Sequence, residues 1–339
     1  MADPTPEPLQ TNEELILAFL SDGGDDFTSG EAISDKLGLS RAAIWKHVES
    51  LRQKGYRIEA VPARGYRLVE IPDRLTALEI APHLNTRDIG RVIHYRESVT
   101  STNELAFRLA SEGASHGEVV VAEEQTHGKG RRGRSWLSPA GLNLYFSVVL
   151  RPDLSPHRAP ELTLVAAVAG VDALRALGVS PGIKWPNDLM IDSRKVGGIL
   201  TELSSDPDRI HFAILGMGIN LNGARSEFPA EIAPTAASVA EAIKGKVRRA
   251  RFAADLWGRL ENWLDVHAEE GFGKIRDVWR QSCLTLGQEV AVQTGKEQIV
   301  GRAEDIDETG ALVISTAQGT RRRILAGDVE QVRRRPLPD

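Results

Sequence analysis

Apolar and polar residues alternate in three different textures along the chain, the first helical and then β. Thr11 and Glu14 form a capping box ahead of LILAFL. Thr28 and Glu31 form a second ahead of AISDKLGL, and Ser40 stands where RAAIWKHVESLRQKG needs a cap. In that third run Ile44, Val48 and Leu51 recur at i, i+4 and i+7 and face a core, while Arg41, Trp45, Lys46 and His47 fall mostly on the other faces. Gly55 ends the helix, and YRIEAV, the turn PARG and YRLVE read as a β-hairpin.

After IPDRL, from about 75 to 285, strands and helices alternate irregularly. RVIHYRESV, EVVVAEEQ, NLYFSVVL, IKWPNDLMI, KVGGILTEL and HFAILGMGINLN are the strands; STNELAFRLASEG and the apolar ELTLVAAVAGVDALRALG are helices. The short polar turn DSRK joins two neighbouring strands, which predicts a mixed or antiparallel sheet flanked by helices. The fold class is α+β and not a doubly wound sheet. The proline of KWPND interrupts a strand pattern and predicts an edge or a bulge. From about Gly287, the short strands EVAVQT, IVGRAEDID, ALVIST and RRRILAG, split by DETG and AQG, predict a small SH3-like β-barrel with a frayed RRRPLPD tail. The expected domains are 1–72, 73–285 and 286–339.

Helix, helix, capped basic helix and hairpin is the order of a winged helix-turn-helix, whose third helix enters the major groove while the wing touches the backbone. Ser40, Arg41, Lys46 and His47 are the candidate DNA contacts, with Arg64 at the tip of the wing; the alternative is an ordinary solvated face. Overall charge does not decide between them. With 42 Lys+Arg against 47 Asp+Glu, the net charge is −5, so a nucleic-acid contact must come from a local patch. A single cysteine, Cys283, excludes an intramolecular disulfide and a Cys-rich zinc site and reads as a buried thiol, and the eight histidines show no metal-ligand spacing. No apolar run approaches the ~20 residues of a spanning helix, and MADPTPEPLQ is unlike a signal peptide, so a cytoplasmic protein without a membrane partner is expected.

In this mildly acidic chain GKGRRGRSW, residues 128–136, is an anomaly. It is not a P-loop, because no Gly-Lys-Ser/Thr follows at the required spacing. Its glycines free backbone N–H groups for an anion, and Lys129, Arg131, Arg132 and Arg134 supply charge-assisted bonds to phosphate or carboxylate oxygens. A disordered basic loop or a nonspecific nucleic-acid contact reads equally well from this stretch alone. STNE from Ser101 offers either a polar ligand site at a helix start or a plain cap. Lys184 to Asp188, Lys195 ahead of Gly197 and Gly198, and Asn220 at the end of GMGIN are further candidates.

Taken in order, STNE, EQTHGKGRRGRSW, GLNLYFSVVL, KWPNDLM, RKVGGILTEL and GMGIN, with a winged helix in front and a small β domain behind, resemble the bifunctional biotin protein ligases that double as biotin operon repressors. The resemblance runs from about Glu13 to Val332. It implies biotin contacts from Ser101, Thr102, Asn103 and Gln125, from Lys129, Gly130 and Arg131 of the loop, and from Lys195 beside the carboxylate. It implies an adenylate side of Arg131, Arg132, Arg134, Trp136, Lys184, Asn187, Asp188 and Asn220, with Lys129, Arg131 and Lys195 closest to the chemistry. Such loops commonly read GRGRRGR; here Lys129 replaces the first arginine and lacks its planar fork.

The reaction implied uses ATP and biotin to form biotinyl-5′-AMP and then biotinylates a lysine of the biotin carboxyl carrier protein. Mg²⁺ would be held through the ATP phosphates rather than by a dedicated protein cage. Operator DNA and a homodimer favoured by the adenylate are the other expected partners. Three alternatives stay open: a biotin-sensing repressor without ligase activity, a ligase that no longer represses, and a lipoate-type acyltransferase.

Overall fold

The computed structural model describes residues 11–24, 26–295 and 297–331, so the RRRPLPD tail lies outside the described residues. Two compact units divide at Arg74/Leu75.

The first unit contains α1 (Asn12–Asp22), α2 (Gly30–Leu37), α3 (Arg41–Gln53) and the hairpin of β1 (Arg57–Val61) and β2 (Gly65–Glu70). Its core is the expected stripe of Ile44, Val48 and Leu51 with Ile16, Leu20 and Ile33. Thr11 and Glu14 form the reciprocal capping box, and the Ser40 hydroxyl accepts from the Ala43 N–H at 3.2 Å. The second helix departs from expectation: Ser29, not Thr28, caps α2. Thr28 is diverted because its backbone exchanges two 2.8 Å hydrogen bonds with Tyr66 in the hairpin.

A seven-stranded sheet forms the body of the second unit. Its strands are β3 (Ile93–Val99), β4 (Val119–Gln125), β5 (Leu144–Leu150), β6 (Pro181–Lys184), β7 (Asp188–Ile191), β8 (Arg194–Ser205) and β9 (Ile210–Ile219). They lie in the order β3-β4-β5-β9-β8-β7-β6. Only β3 and β4 are parallel, so the sheet is mixed; the crossover a parallel pair requires is α5 (Thr102–Ser111). A short α4 (Ala77–Ile80) precedes the sheet. Val120, Val149 and Ile214 meet Leu105 and Ala106 of α5 on one face. Val121, Phe146 and Val148 point to the other, where α6 (Pro160–Ala176), α8 (Arg249–Glu270) and α9 (Phe272–Ser282) cover the sheet, with α7 (Val239–Ile243) as a small addition. Burial on both faces explains why VVVA reads as an unbroken apolar run and LYFSVVL as one interrupted by Ser147 alone.

IKWPNDLMI is two strands, not one. β6 and β7 pair antiparallel with Lys184 opposite Asp188, and Trp-Pro-Asn, with a cis Trp185–Pro186 peptide, makes the turn. A proline without an N–H suits the turn better than the ladder, and the register shift falls at Leu189/Met190. Asp192 and Ser193, both with positive φ, make the tight turn from β7 to β8.

The C-terminal strands β10 (Glu289–Thr294), β11 (Glu297–Ile306), β12 (Leu312–Ser315), β13 (Arg321–Ile324) and β14 (Asp328–Gln331) form an antiparallel sheet ordered β13-β12-β11-β10-β14. The domain is of the small SH3-like type, and its Val290, Ile306 and Leu312 join the main core. Trp185 reaches it by donating to the Gly310 carbonyl at 3.2 Å. Cys283 is part-buried, and burial pushes its thiol pKa up. Among the described residues no helix is long and apolar enough to cross a membrane.

Candidate active site

Glycine clears the floor of a cleft at the edge of β8 and β9. Gly216 and Gly218 lie two residues apart on one face of β9, and Gly198 of β8 pairs with Gly218. A Cβ on Gly216 would stand 1.9 Å from Asn103 Oδ1, and one on Gly218 would stand 2.4 Å from Trp136 Nε1. Any larger residue would displace those side chains, so the spaced glycines of LGMGIN are a packing requirement. Trp136 packs against this patch with its indole N–H buried and without a hydrogen-bond partner among the described residues, and Lys195 Nζ sits 5.3 Å from the ring centre.

The start of α5 forms one wall. Ser101 occupies the N-cap position, yet its side chain makes no capping bond, which sets aside the plain-cap alternative. Gln125, at the end of β4, accepts from the Thr102 N–H at 2.9 Å and donates to Ser138 Oγ at 2.9 Å. Beneath them Ser147 of β5 lies 2.8 Å from the Thr102 hydroxyl and 2.6 Å from Asn103 Oδ1. Asn103 donates to Glu202 at 2.7 Å.

The basic loop makes the opposite wall and folds back on itself as a short hairpin. Lys129 bridges to Ser135, Gly130 N–H donates to Arg134 at 2.6 Å, and Trp136 N–H donates to Gly128 at 2.7 Å. Arg132 has φ +56° at the tip, where a left-handed residue turns the chain. The four cations diverge. Lys129 meets Glu104 at 2.8 Å; that bond raises the ammonium pKa and lowers the carboxyl pKa. Arg131 donates to Asn187 Oδ1 at 3.1 Å, and its burial pulls its pKa down. Arg132 and Arg134 both reach Asp328 of β14, at 3.2 and 2.6 Å, tying the loop to the C-terminal sheet.

Across the cleft Lys195 pairs with Asp188 at 2.6 Å, and buried Asn187 donates to the Ile199 carbonyl at 2.7 Å. The fold therefore gathers Ser101, Thr102, Asn103, Gln125, Lys129, Gly130, Arg131, Arg134, Trp136, Asn187, Asp188 and Lys195 around one cleft from five separate stretches of sequence. Arg132, Lys184 and Asn220 do not line it. Arg132 points to Asp328, Lys184 ends β6, and Asn220 donates to the Ala237 carbonyl at 3.1 Å. Ser147, Glu202 and Asp328 are absent from the sequence reading. A lone serine in an apolar strand was the one available signal for Ser147.

Chemically, the cleft offers several cations, hydroxyl and amide groups at one end, and an indole resting on glycine. It suits a ligand with a polar head and an anionic centre that needs charge stabilisation rather than a covalent nucleophile. No group of three or more His, Cys, Asp or Glu able to hold a metal occurs among the described residues. Asp188 is the one carboxylate among the residues lining the cleft.

On the first unit, Arg41 is exposed and pairs with Glu31 at 3.5 Å, Lys46 is exposed and His47 is half-buried. Ser40 is engaged in its cap, and Arg64 lies over the Phe27 ring at 4.4 Å. Trp45, 59% exposed on the same helix, adds a flat apolar contact to that face.

The chain is similar along most of its length to known proteins. Residues 95–220 match the Biotin/lipoate A/B protein ligase family, residues 12–67 an HTH domain, and residues 285–331 the Biotin protein ligase C terminal domain. The Bifunctional ligase/repressor BirA of Bacillus subtilis is 38% identical over 316 residues, covering 93% of this chain and 97% of that one. Its namesake from Escherichia coli is 33% identical over 300 residues, covering 88% and 91%. The biotin protein ligase from Aquifex aeolicus, solved in complex with biotin and ATP, superposes with a TM-score of 0.61 at 32% identity, covering 72% of this chain and 99% of that one.

Proposed function

The chain belongs to the family of bifunctional biotin ligase/repressors, and from that premise we propose that it activates biotin with ATP, transfers it to a carrier protein and represses transcription at operator DNA. The observation that carries the reading is the meeting of the Lys195–Asp188 pair, the basic hairpin and the Trp136-on-glycine floor in one cleft. In the first step a biotin carboxylate oxygen attacks the α-phosphorus of ATP, the bond to the β-phosphate oxygen breaks, and pyrophosphate leaves. In the second, a lysine amine of the carrier attacks the acyl carbon and AMP departs.

Two anions approach in the first step. At 4 Å their repulsion is roughly 1 kcal/mol in water and about 4 kcal/mol at an effective dielectric of 20. Lys129, Arg131 and Lys195 offset that charge, and Arg131, being partly desolvated, does so most effectively per contact. Ser101, Thr102, Asn103 and Gln125 bind the ring end of biotin. Arg132, Arg134, Trp136, Lys184, Asn187, Asp188 and Asn220 serve the nucleotide side, Arg132, Lys184 and Asn220 from outside the cleft lining. Mg²⁺ fits as an ion carried by the ATP phosphates, with Asp188 the carboxylate able to meet it. The ion would supply further charge neutralisation there.

The domains are assigned as 1–72 for DNA binding, 73–285 for adenylation and 286–339 for the small β domain. Arg41, Lys46 and His47 lead the DNA contacts, with Ser40 and Arg64 in support. The protein works in the cytoplasm as a homodimer favoured by biotinyl-5′-AMP and bound to two half-sites. A lipoate-type acyltransferase shares only the central family match, whereas the HTH match covers the first unit.

Incubation with an apo biotin carboxyl carrier domain, ATP and biotin should attach one biotin to its lysine. Sedimentation should show a heavier species when the adenylate is added. A carrier left unmodified would refute the ligase half, and unchanged mass would refute the dimer.

A further inference from the structure

Lys195 reaches the cleft because β8 carries a bulge. Leu189 and Met190, adjacent on β7, pair with Gly197 and Lys195, so Val196 is the extra residue on β8. In an unbroken strand Lys195 would share a face with Gly197 and oppose Gly198. The two glycines show the reverse. A Cβ on Gly197 would meet Leu189 Cδ1 of the core at 3.2 Å, whereas one on Gly198 would stand 3.4 Å from both Lys195 Nζ and Trp136 Cζ3. The extra residue has turned the lysine onto the cleft face.

A bulge interrupts the ladder, and the groups that restore it lie outside the cleft lining. The Lys195 N–H donates to the Thr235 carbonyl at 2.7 Å, and the Lys195 carbonyl accepts from the Ala237 N–H at 2.8 Å. Residues 235–237 thus pair with the lysine as a parallel bridge, where β9 has already ended. Arg194, next to the lysine, holds that segment in turn. Its Nη1 donates to both oxygens of Glu241 on α7, at 2.8 and 3.1 Å, and reaches the Ala236 carbonyl at 3.4 Å. A fully exposed ion pair would contribute next to nothing. Here the Arg194 and Glu241 side chains are only 22% and 33% exposed, and neither residue lines the cleft.

We propose that Arg194 and Glu241 are positioning residues for Lys195: by clamping residues 235–237 against the bulge, they fix the backbone from which the ammonium meets the reacting carboxylate and phosphate. The inference rests on the ligase reading above and adds what holds its lysine in place. A shift of about an ångström at a reacting centre can cost about 10²-fold in rate, so a pair without any cleft contact can govern turnover.

Steady-state pyrophosphate release by the full chain tests the clamp. Arg194→Ala and Glu241→Ala should each lower kcat about tenfold and leave the KM for biotin within about threefold, because the contacts to the ring end are untouched. Arg194→Lys should stay within about threefold of the unmutated rate, since all three bonds come from one nitrogen and an ammonium can supply them. In a Lys195→Ala background, Arg194→Ala should cost less than about twofold further. An equal loss in both backgrounds would mark a merely structural role and overturn the proposal, as would an unchanged kcat in both alanine variants. Hydrogen exchange reads the clamp apart from the chemistry: the Lys195 amide should exchange about tenfold faster in Arg194→Ala, and unchanged protection would overturn the proposal. If the unmutated chain releases no pyrophosphate with biotin, the ligase reading falls and this inference with it. If it does and the alanine variants match it, only this inference falls.

Discussion

Replacing Gly218 by alanine tests whether the indole of Trp136 belongs on the cleft floor. The added Cβ would lie 2.4 Å from Trp136 Nε1 and 2.6 Å from Cε2, about an ångström inside ordinary contact. Overpacking of this kind costs about 1–3 kcal/mol. Trp136 is half-buried at the base of a surface hairpin, whereas β9 is a central strand, so the ring should move and the sheet should not. At 1.4 kcal/mol per factor of ten, the population with Trp136 on the glycine floor would fall about 5- to 150-fold. Biotin-dependent pyrophosphate release should lose kcat/KM by that factor, while the melting temperature falls by no more than about 4 °C. The three atoms nearest the new Cβ all belong to Trp136, so in a Trp136→Ala background Gly218→Ala should add almost no further loss. An equal loss in both backgrounds would refute the reasoning.

Lys195→Ala should lower pyrophosphate release about 10²- to 10³-fold, the usual effect of deleting one charged donor at a reacting anion, with Asp188 left unpaired; near-normal rates would remove Lys195 from the site. Burial alone would raise the Glu161 pKa, but bonds from His267 at 2.6 Å and Arg158 hold it below the usual 4.5. A depressed carboxylate stabilises the fold above its unfolded pKa and loses that contribution as pH falls through the folded value. Thermal melts from pH 7 to 3.5 should therefore decline below about pH 4.5, and Glu161→Gln, weaker at pH 7, should decline less steeply. Lys46→Ala should weaken binding to DNA of any sequence and reduce the slope of log affinity against log salt by about one; an unchanged slope would take Lys46 off the phosphate backbone.

Where local chemistry decides the structure, the sequence was readable. The Thr11–Glu14 capping box, the Ser40 cap, the Ile44-Val48-Leu51 stripe and the PARG turn all depend on neighbours within one or two turns. Thr28 and Ser29 show the limit, because the choice of cap was settled by Tyr66, which is distant in sequence. Similarly, Trp-Pro-Asn became a turn because β6 and β7 pair across it. Helix α8 escaped notice although Phe252, Leu256 and Leu260 carry its period, and β14 is only four residues long. In the site, motifs named the wall residues, but no local pattern links Asn103 to Ser147 across 44 positions or Asn103 to Glu202 across 99. Arg134 and Asp328 are 194 apart, and only the placement of the C-terminal sheet brings that carboxylate to the loop.

Release of pyrophosphate from ATP by the full-length chain, measured with biotin, with lipoate and with neither, bears most directly on the proposed function. The account predicts release that depends on biotin, is absent with lipoate, and is followed by transfer to an apo carrier domain. Release that ignores biotin, or none with any acid, would contradict it.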